Sequence, residues 1–598
     1  MSKQNVLTRS KKKKAIELYR HNLLAEAKTL CQQVSQVDQM DGDVWAMLSA
    51  INGRLGLLDE AELCGTRAAT LQPGNFDAHY NLGCAQLALD KMECAIASFR
   101  SCLAIRPDHA KAYVGLGNAY AFLGSLQQAV DAYEKVLATT PNAAGVHSNL
   151  GNVLADQGRI DEAVEHWQYA LTLNPNSPGI HSNLLLSLNY QLKDPEWIFQ
   201  EHLKWAEKYA SSAVELTRRP IAPDPERQIR VAYVTPDLRN HSVAYFIEPI
   251  LANHSRTRFK IFCYMETASP DETTRRLLGM VDHWRSTGRL SDEEFARMIQ
   301  DDEIDILVDL AGHTAHNRLP VFARKPAPLQ ITYLGYPNTT GMAAMDYRIT
   351  DAWADPLGQT EHLHAETLLR LPLGFLCFLA PAESPPINPL PALTAGYVTF
   401  GSFNYIAKIT PATLALWAKV LRGVPESRLI LKNKSFSDIA TRERHYKMLA
   451  GQGILADRVE LIGLTPSKAE HMAVYGRVDI ALDTYPYNGT TTTCDTLWMG
   501  VPVVTLAGGT HVSRVGVSLL SQVGLSELIA HSEQEYVDIA INLATNIKHL
   551  SGLRIGLRDR MANAPLCDGK SITDTLEQQY REVWQAWCAE QTKGSARP

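Results

Sequence analysis

The stretch "VDIALDTYPYNGTTTTCDTLWMG", Val478 to Gly500, begins with an apolar run, turns through Pro and Gly, and then sets four consecutive threonines ahead of a helical segment. The apolar run reads as a buried strand, and the threonines as the first turn of the helix after it. A helix start carries N–H groups without intrahelical acceptors and the positive end of the helix dipole, so it takes an anion. Thr490, Thr491 and Thr492 therefore read as a pyrophosphate cradle with added hydroxyl donors. Asp495, one turn into the helix, would repel phosphate and suits a ribose hydroxyl.

A strand that runs through such a loop into a helix is the unit of a parallel α/β sheet, whose ligands gather at the carboxyl ends of the strands. "YVTFGSFN", "RLILKNKS", "RVELIGL" and "VPVVTLAGG" complete the set around the threonine stretch, beyond a Pro-rich link at 380–396. An earlier set, "IRVAYVTPD", "FKIFCYME", "IDILVDLAG", "LQITYLGYP" and "DYRITD", follows the charged connector "RRPIAPDPERQ". Two Rossmann-like domains are expected, at 226–380 and 396–570, facing a cleft. A last helix at 571–590, with Leu576, Tyr580, Val583 and Trp587 on one face, is expected to pack back onto that core.

The other strand ends carry matching chemistry. "GSFNYIAKIT" places Lys408 where a compact ammonium meets a diphosphate leaving group, with Tyr405 beside it. "LTPSKAEHMAVYG" offers Lys468 and His471, a cation and a flat ring for a ribose and a base. In the first domain "VTPDLRNHSVAYF" supplies Asp237, Asn240 and His241, and "LGYPNTTG" supplies Gly335, Tyr336 and Pro337.

The first third of the chain is periodic. Pro73, Pro107, Pro141 and Pro175 are 34 residues apart, as are Gly83, Gly117 and Gly151, and as are Ala27, Ala61, Ala95, Ala129 and Ala163. Phe99, Tyr133 and Trp167 stand four residues after the last three alanines. This resembles the tetratricopeptide repeat, in which small residues let two helices approach, an aromatic ring fills the gap and Pro follows the second helix. An all-α solenoid over 8–211 is expected, with full repeats at about 42–75, 76–109, 110–143 and 144–177. Asn81, Asn149 and Asn183 share one repeat position, an amide row suited to the backbone of an extended peptide, interrupted by Met47 and Gly115.

Composition narrows the function. The 598-residue chain has a formal charge of −6, which gives no general attraction for nucleic acid or an anionic membrane. The basic run Lys11 to Lys14 reads as a solvated helix start. With no apolar stretch long enough for a bilayer and no signal sequence, a cytoplasmic protein is expected. The ten cysteines are scattered, without the spacing of a metal site or a disulfide framework.

The motifs "DLRNHSVAYFIEPIL", "RKPAPLQITYLGYPNTTG", "GSFNYIAKITPATLALWAKVL" and "DTYPYNGTTTTCDTLWMGVPVVT", following such repeats, are similar to those of the O-linked N-acetylglucosamine transferase family, in its short-linker bacterial-type form. The resemblance implies a GT-B fold, UDP-N-acetylglucosamine as donor, inverting transfer to Ser or Thr hydroxyls of proteins, and neither metal nor other cofactor. It also implies roles. Lys408 would neutralise the diphosphate and Thr491 and Thr492 hold its oxygens; Lys468 and Asp495 would bind ribose, and His471 would stack on uracil. His241 would be the general base or a phosphate and sugar contact, with Asp237 or a donor phosphate oxygen as the rival base. Thr490 stands where better-known members have histidine, Ala407 where they have tyrosine, and Tyr405 where they have glutamine. No DxD loop at a strand end suggests a metal; "DGD" at 41–43 lies in a repeat. Acceptor proteins along the repeat groove are the expected partners, with a homodimer through the repeats. The alternatives are a protein glycosyltransferase using another UDP-hexose or an Asn acceptor, and a non-catalytic repeat scaffold.

Overall fold

The computed structural model describes residues 3–211, 222–266, 270–381 and 384–595. It divides into two compact units, one of Met1–Asn174 with Ser437–Thr441, the other of Pro175–Phe436 and Arg442–Pro598.

The first unit is a run of helix pairs such as Phe76–Ala88 with Met92–Ile105, Ala110–Phe122 with Leu126–Thr139, and Ala144–Asp156 with Ile160–Leu173. Each helix packs on the next because the small residues permit it. A Cβ added at Gly83 would stand 2.7 Å from the Phe99 ring, one at Gly117 2.4 Å from Tyr133, and one at Gly151 2.8 Å from Trp167. The five periodic alanines are fully buried. Pro73, Pro107, Pro141 and Pro175 each follow directly on a helix C-cap, where a missing N–H costs nothing.

The second unit opens with the helices Pro178–Leu188 and Pro195–Tyr209, which from sequence were expected at the end of the solenoid. Their polar side chains explain the difference: they bond into the α/β part. Asn189 Nδ2 donates to the Tyr336 hydroxyl at 3.1 Å, Asn338 Nδ2 donates to Asn189 Oδ1 at 2.9 Å, and His202 Nε2 lies 2.7 Å from the same hydroxyl.

Two parallel sheets follow. The first contains β1 (Ile229–Thr235), β2 (Phe259–Met265), β3 (His283–Ser286), β4 (Ile306–Asp309), β5 (Leu329–Thr332), β6 (Tyr347–Thr350) and β7 (Thr367–Arg370), in the order 3-2-1-4-5-6-7. The second contains β8 (Thr399–Ser402), β9 (Arg428–Lys432), β10 (Val459–Ile462), β11 (Ile480–Leu482), β12 (Val503–Leu506) and β13 (Ile529–Ala530), in the order 10-9-8-11-12-13. In both, the order reverses at the first strand, β1 and β8, leaving a crevice at the carboxyl ends, the place where sheets of this kind bind ligands. Two rows of nucleotide-fold strands facing a cleft make a GT-B-like α/β fold.

A buried latch joins the halves. Asp351 and Asp355, just after β6, reach across to the segment after β12. The Ser518 hydroxyl donates to Asp351 Oδ2 at 2.5 Å, and Arg514 Nε donates to the Trp353 carbonyl at 2.8 Å. The helix Gly569–Ser595 then returns to the first half and packs on the helix Ser242–Asn253. Glu577 accepts from the Ser255 N–H at 2.7 Å, and Trp584 Nε1 donates to the Asp224 carbonyl at 2.9 Å. Leu576, Tyr580 and Trp584 are fully buried, while Trp587 stands at the edge of that face, stacked on Trp584 at 4.8 Å. No helix of the described residues is long and apolar enough to cross a membrane.

Candidate functional site

Residues from both α/β halves line one cavity of about 260 Å³. His241, Gly335 and Pro337 come from the first half, and Tyr405, Lys408, Thr490, Thr491 and Thr492 from the second.

The threonine wall is built by the loop after β11. Buried Asp483 accepts the N–H groups of Thr484 at 2.9 Å and Gly489 at 2.7 Å and the Thr505 hydroxyl at 2.8 Å. This folds residues 483–489 back over the strand end and delivers the chain into the helix Thr491–Trp498. Thr490 makes no side-chain cap on that helix, so its first-turn N–H groups end at the cavity wall beside the threonine hydroxyls.

Lys408 ends a short turn, Ile406–Lys408, just after β8. Its Nζ donates to the Asn488 carbonyl at 2.8 Å and stands 3.8 Å from the centre of the Tyr487 ring. Burial pushes the ammonium down to about 7, against the pull of Asp483. The Tyr487 ring in turn stacks at 5.1 Å on Tyr190, from the helix pair that opens this unit, and Tyr405 lies 6.1 Å from Tyr190.

A second group flanks the threonine helix. Ser467 caps the helix Lys468–Val474, accepting from the Glu470 N–H at 3.1 Å. Lys468 Nζ donates to the Tyr245 hydroxyl at 3.1 Å, bridging to the first half. Burial, with help from Lys432 and Lys468, pushes His471 down to about 4, so its ring is neutral at pH 7. Burial pushes Asp495 up to about 6, with Lys468 opposing it.

In the first half, β1 delivers Asp237, Asn240 and His241 to the start of the helix Ser242–Asn253. His241 is the N-cap: its Nδ1 accepts from the Val243 N–H at 3.3 Å, and Asp237 Oδ2 is 3.7 Å away. Burial lowers the imidazole pKa, Arg239 works the same way, and Asp237 opposes both. Asn240 Oδ1 accepts from the Tyr245 hydroxyl at 2.7 Å, so its amide braces the tyrosine that meets Lys468. At Gly335 the loop after β5 comes so close to the loop after β4 that a Cβ would stand 1.8 Å from the Leu310 carbonyl oxygen. Tyr336 differs from expectation. Its side chain is buried against Asn189 and His202, so it anchors the helix pair, and only its neighbours Gly335 and Pro337 reach the cavity.

The asparagine row is divided between the units. Asn81 Nδ2 donates to the Ala46 carbonyl at 3.2 Å and Asn149 Nδ2 to Asn118 Oδ1 at 3.2 Å, both within the first unit, whereas Asn183 belongs to the second.

Sequence reasoning missed Tyr190, Tyr487, Phe375 and His511. Tyr190 carries no strand-end signal, because it lies in the turn after the helix Pro178–Leu188, distant in sequence from the strands. His511 was legible: it follows β12 in "LAGGTHVSR", at a strand end like the others. Its Nδ1 lies 2.7 Å from Asp355 Oδ2 in the latch, and its ring lines the main cavity. His511 and Pro337 also line a smaller adjoining cavity of about 100 Å³, walled by the segment 189–198 and by Tyr485 and Pro486.

The sequence profile of glycosyl transferase family 41 matches residues 214–378 and 391–576. Tetratricopeptide-repeat profiles match 76–109, 117–158 and 151–184. A Petunia hybrida protein named probable UDP-N-acetylglucosamine--peptide N-acetylglucosaminyltransferase SPINDLY is 44% identical over 68% of this chain and 44% of its own length. An Arabidopsis thaliana protein with the same enzyme name, SEC, is 31% identical over 61% of this chain and 38% of its own. The matched region thus spans less than half the length of these plant relatives. A mutant of the Thermobaculum terrenum O-GlcNAc transferase has a solved structure with a TM-score of 0.82 and 36% identity, covering 86% of this chain and 98% of that one.

Proposed function

Because the chain belongs to glycosyl transferase family 41 and carries tetratricopeptide repeats ahead of the matched region, we propose that it transfers one sugar from a nucleoside diphosphate donor to protein hydroxyls, with UDP-N-acetylglucosamine as donor and Ser or Thr as acceptor. The observation that carries this reading is the convergence, on one cavity, of Lys408, the threonine helix start and His241. A leaving diphosphate gathers negative charge as the C1–O bond breaks, and donors fixed at that point lower the barrier. Lys408 supplies the cation, Thr491 and Thr492 the hydroxyls, and their helix the N–H groups. Neutral His471 presents a face for the base, with Lys468 and Asp495 at the ribose. Attack from the side opposite the diphosphate inverts the anomeric carbon.

These groups take the place of a divalent ion, so turnover is expected to persist in EDTA. His241 suits a phosphate or sugar oxygen better than it suits the acceptor proton. Its Nδ1 already accepts an N–H, which leaves the proton of the neutral ring on Nε2 as a donor. In the repeats, the asparagine row would hold the acceptor chain by its backbone.

The test is to incubate the protein with UDP-N-acetylglucosamine and a cell lysate and seek the added sugar on Ser or Thr by mass spectrometry. Absence of any modified protein, with the enzyme shown to bind UDP, would count against the reading. A second reading, a different nucleotide sugar, is favoured by Thr490 and Tyr405, which line the cavity where familiar members carry histidine and glutamine. Labelled donors differing in base and hexose, set in competition, separate the two.

A further inference from the structure

We propose that His511, oriented by Asp355, is the general base that takes the proton from the acceptor hydroxyl; this rests on the transferase reading above. The ring stands in the wall shared by the cavity of about 260 Å³ and the smaller one of about 100 Å³ beside it, where an acceptor entering the small cavity meets a sugar held in the large one. Asp355 Oδ2 lies 2.7 Å from Nδ1. A carboxylate only accepts, so it fixes the proton on Nδ1 and leaves the lone pair on Nε2. Among the described residues Nε2 has no hydrogen-bond partner, although the residue is only 4% exposed. Phe375 meets the ring edge-on at 5.1 Å and holds its plane. The other histidine on the cavity, His241, has the opposite arrangement, with Nδ1 accepting.

Asp355 is itself held in place. The Thr350 hydroxyl donates to Oδ2, and His364 Nε2 lies 3.3 Å from Oδ1. The titratable and charged groups around the His511 ring are Asp355, His364 and Arg348 of the first half, with Lys408 and His241 on the same cavity. Burial keeps His511 neutral near pH 7, with Arg348 acting the same way and Asp355 opposing. In the step, the Ser or Thr O–H bond breaks and its proton passes to Nε2. The oxygen bonds to C1 as the bond from C1 to the diphosphate oxygen breaks, its electron pair leaving on the diphosphate. Asp355 stabilises the imidazolium, which then releases the proton to solvent.

His511→Asn keeps an N–H toward Asp355 and removes the lone pair. The expected result is a kcat lowered roughly 10²–10⁴-fold, UDP affinity by calorimetry within about twofold of wild type, and partial recovery of rate in His511→Gly on adding imidazole. A kcat within about threefold of wild type, or UDP binding lost together with activity, would overturn the proposal. Asp355→Asn, which lets the ring carry its proton on Nε2, is expected to lower kcat while UDP still binds; unchanged kcat would remove Asp355 from its positioning role. If the variants do not fold, the wild-type profile still decides: kcat should fall on acidification with a midpoint below the ordinary histidine value of about 6.5, whereas a kcat that stays flat or rises on acidification across the whole range in which the protein remains folded overturns the assignment. No transfer by wild type from any nucleotide sugar sinks the transferase reading itself, while transfer preserved in His511→Asn sinks only this inference.

Discussion

Burial that holds Lys408 down to about 7 makes binding of a diphosphate a proton-linked event. Below pH 7 the ammonium is already charged in the free protein, so binding takes up no proton. Between that value and the ordinary lysine range the free amine is neutral and the diphosphate must recharge it. UDP affinity is therefore expected to fall as pH rises above 7, with uptake of close to one proton. Calorimetry in buffers of different ionisation enthalpy measures this, and Lys408→Met should abolish it and weaken UDP binding by about tenfold or more. At Gly335 the constraint is steric. Gly335→Ala drives a methyl group into the Leu310 carbonyl, and is expected to cost about 1–3 kcal/mol, read as a lowered Tm.

At the scale of elements, the helix Thr491–Trp498 is short and uncapped by its own threonine at its start, which on the proposed function is where the diphosphate binds. The double variant Thr491→Ala, Thr492→Ala is expected to raise the donor KM about tenfold or more, since two hydroxyl contacts of about 1 kcal/mol each are lost, while the N–H groups remain. In the repeats, Gly117→Ala pushes against the Tyr133 ring, and should lower the melting temperature of the helical unit while donor binding is unaffected. These elements were legible because each writes its burial into a period: 34 residues for the helix pairs, and short β-branched runs for the inner strands. The strands that escaped notice are at sheet edges, β3 and β7, where half-exposed residues show no apolar run, and β13, which is two residues long. The site was legible where a residue follows a strand end, as Lys408, Thr490 and His241 do. It was not legible for Tyr190, which stacks behind the cavity-lining Tyr487 from a turn distant in sequence, or for Tyr336, whose side chain turns to partners that no local pattern announces.

For the whole molecule, the division at Pro175 separates the repeats from everything that lines the cavity. Residues 175–598 alone are therefore expected to bind UDP with the affinity of the full chain. If the repeats recruit acceptors, as proposed, the shortened protein should modify few lysate proteins while still turning over a short acceptor peptide at high concentration. Equal labelling of the lysate by both forms would argue that the repeats have another task. The helix Gly569–Ser595 has a consequence for how the chain comes to be folded at all. The first α/β half leaves the ribosome before this helix, yet Tyr233 and His254 meet Tyr580 and Glu577 of it, and Asp224 meets its Trp584. That half is therefore expected to keep an apolar flank open during synthesis, and a premature stop codon near residue 569 should yield an insoluble product even though every residue lining the cavity has already been translated.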